Sequence, residues 1–104
     1  MTSKVRIVRI GLMSVDQKAV EKDWQARGFS CGLWIDPPGR EWHDFVHDTD
    51  ELVMVVEGEQ EFEMNGQTRR LEIGEEMLIP AGTYHTARNV GSITSKWLYG
   101  YKRK

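Results

Sequence analysis

One cysteine, three prolines and no extended apolar run remove several classes of protein from consideration. Cys31 has no second cysteine to pair with, so stability must come from packing, helped by a metal or a partner subunit, rather than from a disulfide framework. The expected place for this thiol is as a small buried apolar group. Nothing approaches the roughly 20 apolar residues that a membrane span needs, and the opening MTSKVRIVRIG has no signal-peptide apolar core. These absences predict a cytoplasmic protein without a membrane partner. An excess of one charge is also missing: 14 bases against 16 acids leave a formal −2, which gives no general attraction to nucleic acid. Acids crowd the stretch from 36 to 76, where Arg40, Arg69 and Arg70 are the bases, and the chain closes on Lys102-Arg103-Lys104. Both features are read as solvated surface.

What is present fits one globular unit. At 104 residues, with 39% hydrophobic and 29% charged residues, the chain can bury a single core. It is read as one domain over 1–104, with a barrel core at about 29–101 preceded by a strand and helix within 1–28. Residues 5–10 alternate apolar and basic, as in a half-buried strand. Ser14-Val15-Asp16-Gln17 then offers a helix cap, after which Ala19, Val20 and Trp24 share one face of a short helix ending near Gly28. From Phe29 onward the pattern changes to short strand-like segments divided by turn residues: FSCGLWI, REWHDFVH, ELVMVVEG, EQEFEM, QTRRLEI, EMLIP, YHTARNV and ITSKWLYGY. Evenly spaced short strands predict an all-β sandwich or barrel with the helix outside. The plainest local signal is Asn65-Gly66, which favours a two-residue type I′ turn within a hairpin over 59–73. In the last segment alternation puts Trp97, Tyr99 and Tyr101 on one face and Leu98 and Gly100 on the other. The aromatic face either fills a core, lines a pocket or forms a dimer interface.

Three residues carry the chemistry. His47 and Glu51 flank a short polar loop, and His85 follows the turn at Pro80-Ala81-Gly82. Two imidazoles and a carboxylate suit Fe(II), Mn, Ni, Co or Zn. Strand alternation predicts that Phe45 and His47 point inward while Trp42, Asp44 and Val46 point outward, and that His43 shares the inward face. A three-residue turn is expected to bring the chain back antiparallel, setting Glu51 beside His47. Arg40 and Arg88 are read as solvated or paired, with a cationic rim for a carboxylate substrate as the alternative. If no metal is bound, the same three residues form a hydrogen-bonded polar cluster, with Phe45 filling the space beside them. Burying Glu51 without a cation, however, would cost several kcal/mol or force its protonation.

Two spacings resemble the motifs of the cupins. Gly74, Pro80, Gly82, His85 and Asn89 meet every position of the second cupin motif; Gly39, Phe45, His47, Glu51 and Gly58 keep every spacing of the first, with Phe45 where that motif has a histidine. The chain is similar to small single-domain bacterial cupins of the type-2 class. The resemblance implies a double-stranded β-helix, or jelly-roll barrel, and a divalent transition metal on His47, Glu51 and His85. His43, Phe45, Tyr99 and Tyr101 are further candidate pocket residues. It implies a metal-binding protein acting on a small organic molecule, as a dioxygenase or a Lewis-acid lyase or isomerase. The alternative is a non-catalytic module for a sugar-like ligand with a degenerate metal site. A homodimer is expected in either case, with Trp34, Trp42 and Trp97 available to bury its face.

Overall fold

The computed structural model describes residues 9–10 and 14–103. Most of the strand expected over 5–10 lies outside them; its last two residues, β1 (Arg9–Ile10), pair antiparallel with β2 (Ser14–Val15). Helix α1 (Gln17–Ala26) starts where the side chain of Asp16 accepts from the Ala19 amide at 3.1 Å, satisfying one of the donors a helix N-terminus leaves free. It stops at Gly28, which holds φ +88°, a left-handed conformation that a Cβ would oppose.

All eight strand-like segments after Phe29 become strands: β3 (Gly32–Asp36), β4 (Glu41–Phe45), β5 (Glu51–Glu57), β6 (Gln60–Met64), β7 (Gln67–Arg70), β8 (Glu76–Ile79), β9 (His85–Asn89) and β10 (Ser95–Tyr101). They form two four-stranded antiparallel sheets, ordered β3-β10-β5-β8 and β4-β9-β6-β7. Because β4 and β5 lie in different sheets, residues 46–50 do not form the hairpin expected from their length. They cross from one sheet to the other at the barrel mouth, and that crossing, rather than antiparallel pairing, carries Glu51 toward His47. The β6–β7 hairpin does turn at Asn65-Gly66, with φ +53° and +76° as a type I′ turn requires.

Two apolar layers hold the elements together. Val53, Val55, Phe62, Ile79, Ala87 and Trp97 pack between the sheets. On the outer face of the first sheet, Val20 and Trp24 of α1 pack on Leu52, Met54 and Leu98. Strand β5 is thus buried on both faces, which is why its sequence runs Leu-Val-Met-Val-Val without alternation. Burying each of these helix side chains contributes about 1.5–3 kcal/mol, and a ten-residue helix needs that contribution because isolated helices of this length are marginal. Arg27 adds a bidentate bridge to Glu76 at 2.9 and 2.8 Å, and the Trp24 indole donates to the same carboxylate at 3.0 Å. The pair raises the pKa of Arg27 further above its already high ordinary value. Gly100 permits the close approach of helix and sheet: a Cβ there would fall 2.0 Å from the Ser30 carbonyl oxygen and 2.8 Å from the Trp24 ring.

Candidate metal centre and cavity

His47 sits just past β4, Glu51 opens β5 and His85 opens β9, so the three come from both sheets and meet at one end of the barrel. Their ligand atoms lie within 4.8 Å of one another. Glu51 Oε1 is 3.3 Å from His85 Nε2 and 3.5 Å from His47 Nε2, too long for good hydrogen bonds. This oxygen is buried and has no hydrogen-bond partner.

The tautomer of His85 sharpens the point. Its Nδ1 lies 3.0 Å from the Thr83 carbonyl, which only accepts, so Nδ1 carries the proton. In the neutral ring the Nε2 lone pair then faces the lone pair of Glu51 Oε1, an arrangement that needs a cation between them. Either a proton on Nε2 or a metal ion satisfies it. Burial lowers the His85 pKa, but the facing Glu51 carboxylate and the hydrogen bond to the Thr83 carbonyl outweigh burial, and the net shift is upward. The donor set fits a divalent transition metal: tetrahedral bonds of about 2.0–2.2 Å hold adjacent ligands roughly 3.3–3.6 Å apart, the range of both carboxylate–imidazole separations. Orientation of a ligating imidazole through its second nitrogen is the usual second-layer support of such a site.

The loops that carry these residues are tied together. The Gly82 amide donates to the His47 carbonyl at 2.8 Å, and the Ala81 amide to Asp50 Oδ1 at 2.8 Å. Gly58 and Asn89 shape turns, as their places in the motifs imply: the Asn89 side chain donates to the carbonyls of Asp36 and Ile93 and accepts from Gly91.

A cavity of about 320 Å³ opens beside the cluster, and Phe45, Tyr99 and Tyr101 are among its lining residues. Tyr101 Oη is 3.4 Å from His47 Nε2. Burial and the nearby Glu51 carboxylate push the Tyr101 phenol up to about 12, so it remains a proton donor at neutral pH. The Phe45 ring lies 6.0 Å from that of His85. His43 is not part of this lining; its exposed ring pairs with Glu41 at 2.7 Å. A register shift between Trp42 and Phe45, with Asp44 at φ +58°, breaks the strict alternation of β4. The bulge turns His43 out and brings Trp42 in, reversing both assignments made from alternation. Arg40 and Arg88 are also outside the lining. Arg40 covers the Trp42 ring at 4.0 Å, and Arg88 pairs with Glu63 and Glu61.

The residue that the sequence left unnoticed is Asp36. It is 1% exposed and accepts from three indoles: Trp34 and Trp42 at 2.9 Å on Oδ1 and Trp97 at 3.1 Å on Oδ2. Gln60, itself held by Ser95 at 2.6 Å, makes a longer contact of 3.4 Å. The three tryptophans named above for a dimer face wall the cavity. An acid closing an apolar strand, with Trp34 two residues and Trp42 six residues away, is the local hint of Asp36; Trp97, 61 residues on, is invisible without the fold.

Comparison with known proteins agrees with this architecture. Residues 32–101 match the cupin domain model, and the chain belongs to the cupin family. It is 33% identical over 69 residues, 65% of its length, to the polyketide synthase CurC of Streptomyces cyaneus. The chain spans less than half of that relative, the match covering 45% of it. Among solved structures, the cupin domain of an XRE family transcriptional regulator from Enterobacter cloacae superposes with a TM-score of 0.68 at 23% identity, covering 78% of this chain and 88% of that one. An oxalate oxidase in complex with the substrate analogue glycolate gives a TM-score of 0.66 at 24% identity, covering 74% and 43%. The same barrel therefore appears in a regulator and in an enzyme, and function must be argued from the site. Among the described residues, no helix is long and apolar enough to cross a membrane.

Proposed function

We propose that this cupin is a metal-dependent enzyme acting on a small organic molecule held in the aromatic cavity, with His47, Glu51 and His85 as the metal ligands. The observation that carries the reading is Glu51 Oε1, buried without a hydrogen bond and facing two imidazoles. A bare carboxylate oxygen in such a place costs several kcal/mol, and a divalent cation removes that cost. When bound, such a metal supplies Lewis acidity toward a substrate oxygen, or redox chemistry if it is iron. The protein supplies the rest: His85 is oriented by Thr83, the aromatic walls exclude water, and Tyr101 holds a proton 3.4 Å from His47 Nε2. The choice between oxidation and Lewis-acid elimination or isomerisation follows from the metal.

Elemental analysis of protein purified without added metal tests the assignment. Near-stoichiometric transition metal is expected, and it should be lost in a His47→Ala/His85→Ala double variant that keeps its fold. A metal-free wild-type protein that also fails to take up Fe, Mn, Ni, Co or Zn would refute it.

Phe45 favours one second reading, a non-catalytic module for a small ligand, because it puts an apolar ring where the first cupin motif offers a third histidine. Homodimerisation remains a proposal under either reading, supported now by the exposed Leu33 and Ile35 of edge strand β3. Light scattering at micromolar concentration should give twice the 12.0 kDa chain mass.

A further inference from the structure

We propose that the end of the cavity walled by tryptophan receives a compact cationic group, of the methylated ammonium kind, carried by the small molecule whose other end approaches His47, Glu51 and His85. The inference rests on the reading of this cavity as a ligand site and adds the chemical class that the site selects.

Three observations carry it. The first is the shape of the wall. Trp34 meets Trp42 at 76° and Tyr99 at 82°, with centroids 5.6 and 6.0 Å apart. Rings at right angles make the corners of a box, whereas a flat aromatic ligand needs two parallel walls with space between them. The one nearly parallel pair, Trp42 and Phe45 at 25°, is in contact with itself at 5.9 Å, so no ring slides between.

The second is charge. Asp36 lies directly behind the wall, almost fully buried, and accepts from Trp34, Trp42 and Trp97. Its oxygens take only donors, which is the pattern of an ionised carboxylate. Each indole that donates to it gains electron density in the ring, and the buried charge acts through a medium of low dielectric. Both effects deepen the negative potential on the ring faces that attracts a cation. Neither lysine nor arginine lines the cavity among the described residues, so no protein cation competes inside it.

The third is a cation already in place. The Arg40 guanidinium, which is outside the cavity lining, sits 4.0 Å from the centroid of Trp42. It shows that this indole attracts positive charge, and with Phe45 stacked on the same ring it leaves Trp34 and Tyr99 as the rings to receive a ligand's cation. The cavity volume, about 320 Å³, is in the range of small-molecule sites.

The test compares choline with its neutral carbon isostere, 3,3-dimethylbutan-1-ol, by titration calorimetry on the full chain as purified and again after metal chelation. Choline should bind at least about tenfold more tightly than the isostere in both preparations. Asp36→Asn should reduce choline affinity about tenfold or more while changing the isostere less than about threefold. Trp34→Leu, at a partly exposed position, should do the same and serves if Asp36→Asn does not fold. The inference is overturned if the isostere binds as well as choline, if neither binds, or if choline affinity is indifferent to the folded variants. Metal content is measured separately, so a preference for choline in a protein that takes up no metal refutes the enzyme reading alone. A metal-loaded protein that prefers the isostere refutes this inference alone.

Discussion

His85 Nε2 faces Glu51 Oε1 at 3.3 Å while the opposite nitrogen of the same ring is committed to the Thr83 carbonyl at 3.0 Å. The ring is thereby fixed with its free lone pair toward the carboxylate. Removing it should abolish the site. His85→Ala is expected to weaken metal binding at least about 100-fold, in line with loss of one of the three proposed ligands, whereas His43→Ala should change it less than about twofold. Equal losses, measured by competition with a chelating dye, would mean that the exposed His43 reaches the centre after all.

Phe45 stands beside both imidazoles, its ring 6.2 Å from His47 and 6.0 Å from His85. A histidine there would add a ligand in the place where the first cupin motif has one. Phe45→His is expected to tighten metal binding about tenfold or more. Unchanged affinity in a folded variant would show that position 45 does not address the metal.

Gly100 tests the packing of α1 on the barrel. Gly100→Ala would drive a methyl into the Ser30 carbonyl and the Trp24 ring, and overpacking of this kind costs about 1–3 kcal/mol. For a chain of this size the melting temperature should fall by about 5–15 °C. A melt within a degree of wild type would mean the helix layer yields freely.

Cys31 gives a prediction about pH. Burial pushes its thiol from the ordinary 9.0 up to about 11, so the folded chain holds this proton where the unfolded chain releases it. Its contribution to stability is therefore complete below about pH 9 and declines as pH rises toward 11. At pH 8 alkylation by iodoacetamide should be at least about tenfold slower in the native protein than after denaturation. The structure leaves Cys31 half-buried rather than fully buried as expected, and equal rates would refute the raised pKa of this thiol.

Much of the fold was legible before any coordinates. Strand lengths, the Asn65-Gly66 turn and the face shared by Trp97, Tyr99 and Tyr101 follow from local rules of alternation and turn chemistry, because each depends on residues close in the chain. The same holds for α1, whose cap and apolar face lie within ten residues. The spacing of Gly74, Pro80, Gly82 and His85 likewise marks a turn that delivers an imidazole to the start of a strand.

Alternation failed at one place, the bulge at His43-Asp44, and there it exchanged the roles of His43 and Trp42. A bulge adds one residue to one strand against its partner, so it is set by pairing with β9 and leaves little trace in β4 itself. Tertiary structure also decided that 46–50 crosses between sheets, and that the distant Trp97 joins Trp34 and Trp42 on Asp36. Local pattern determined which side chains face inward along each regular strand. Which inward side chains meet was decided only when the two sheets closed on each other, because the distances between strands are set by packing and not by neighbours in the chain.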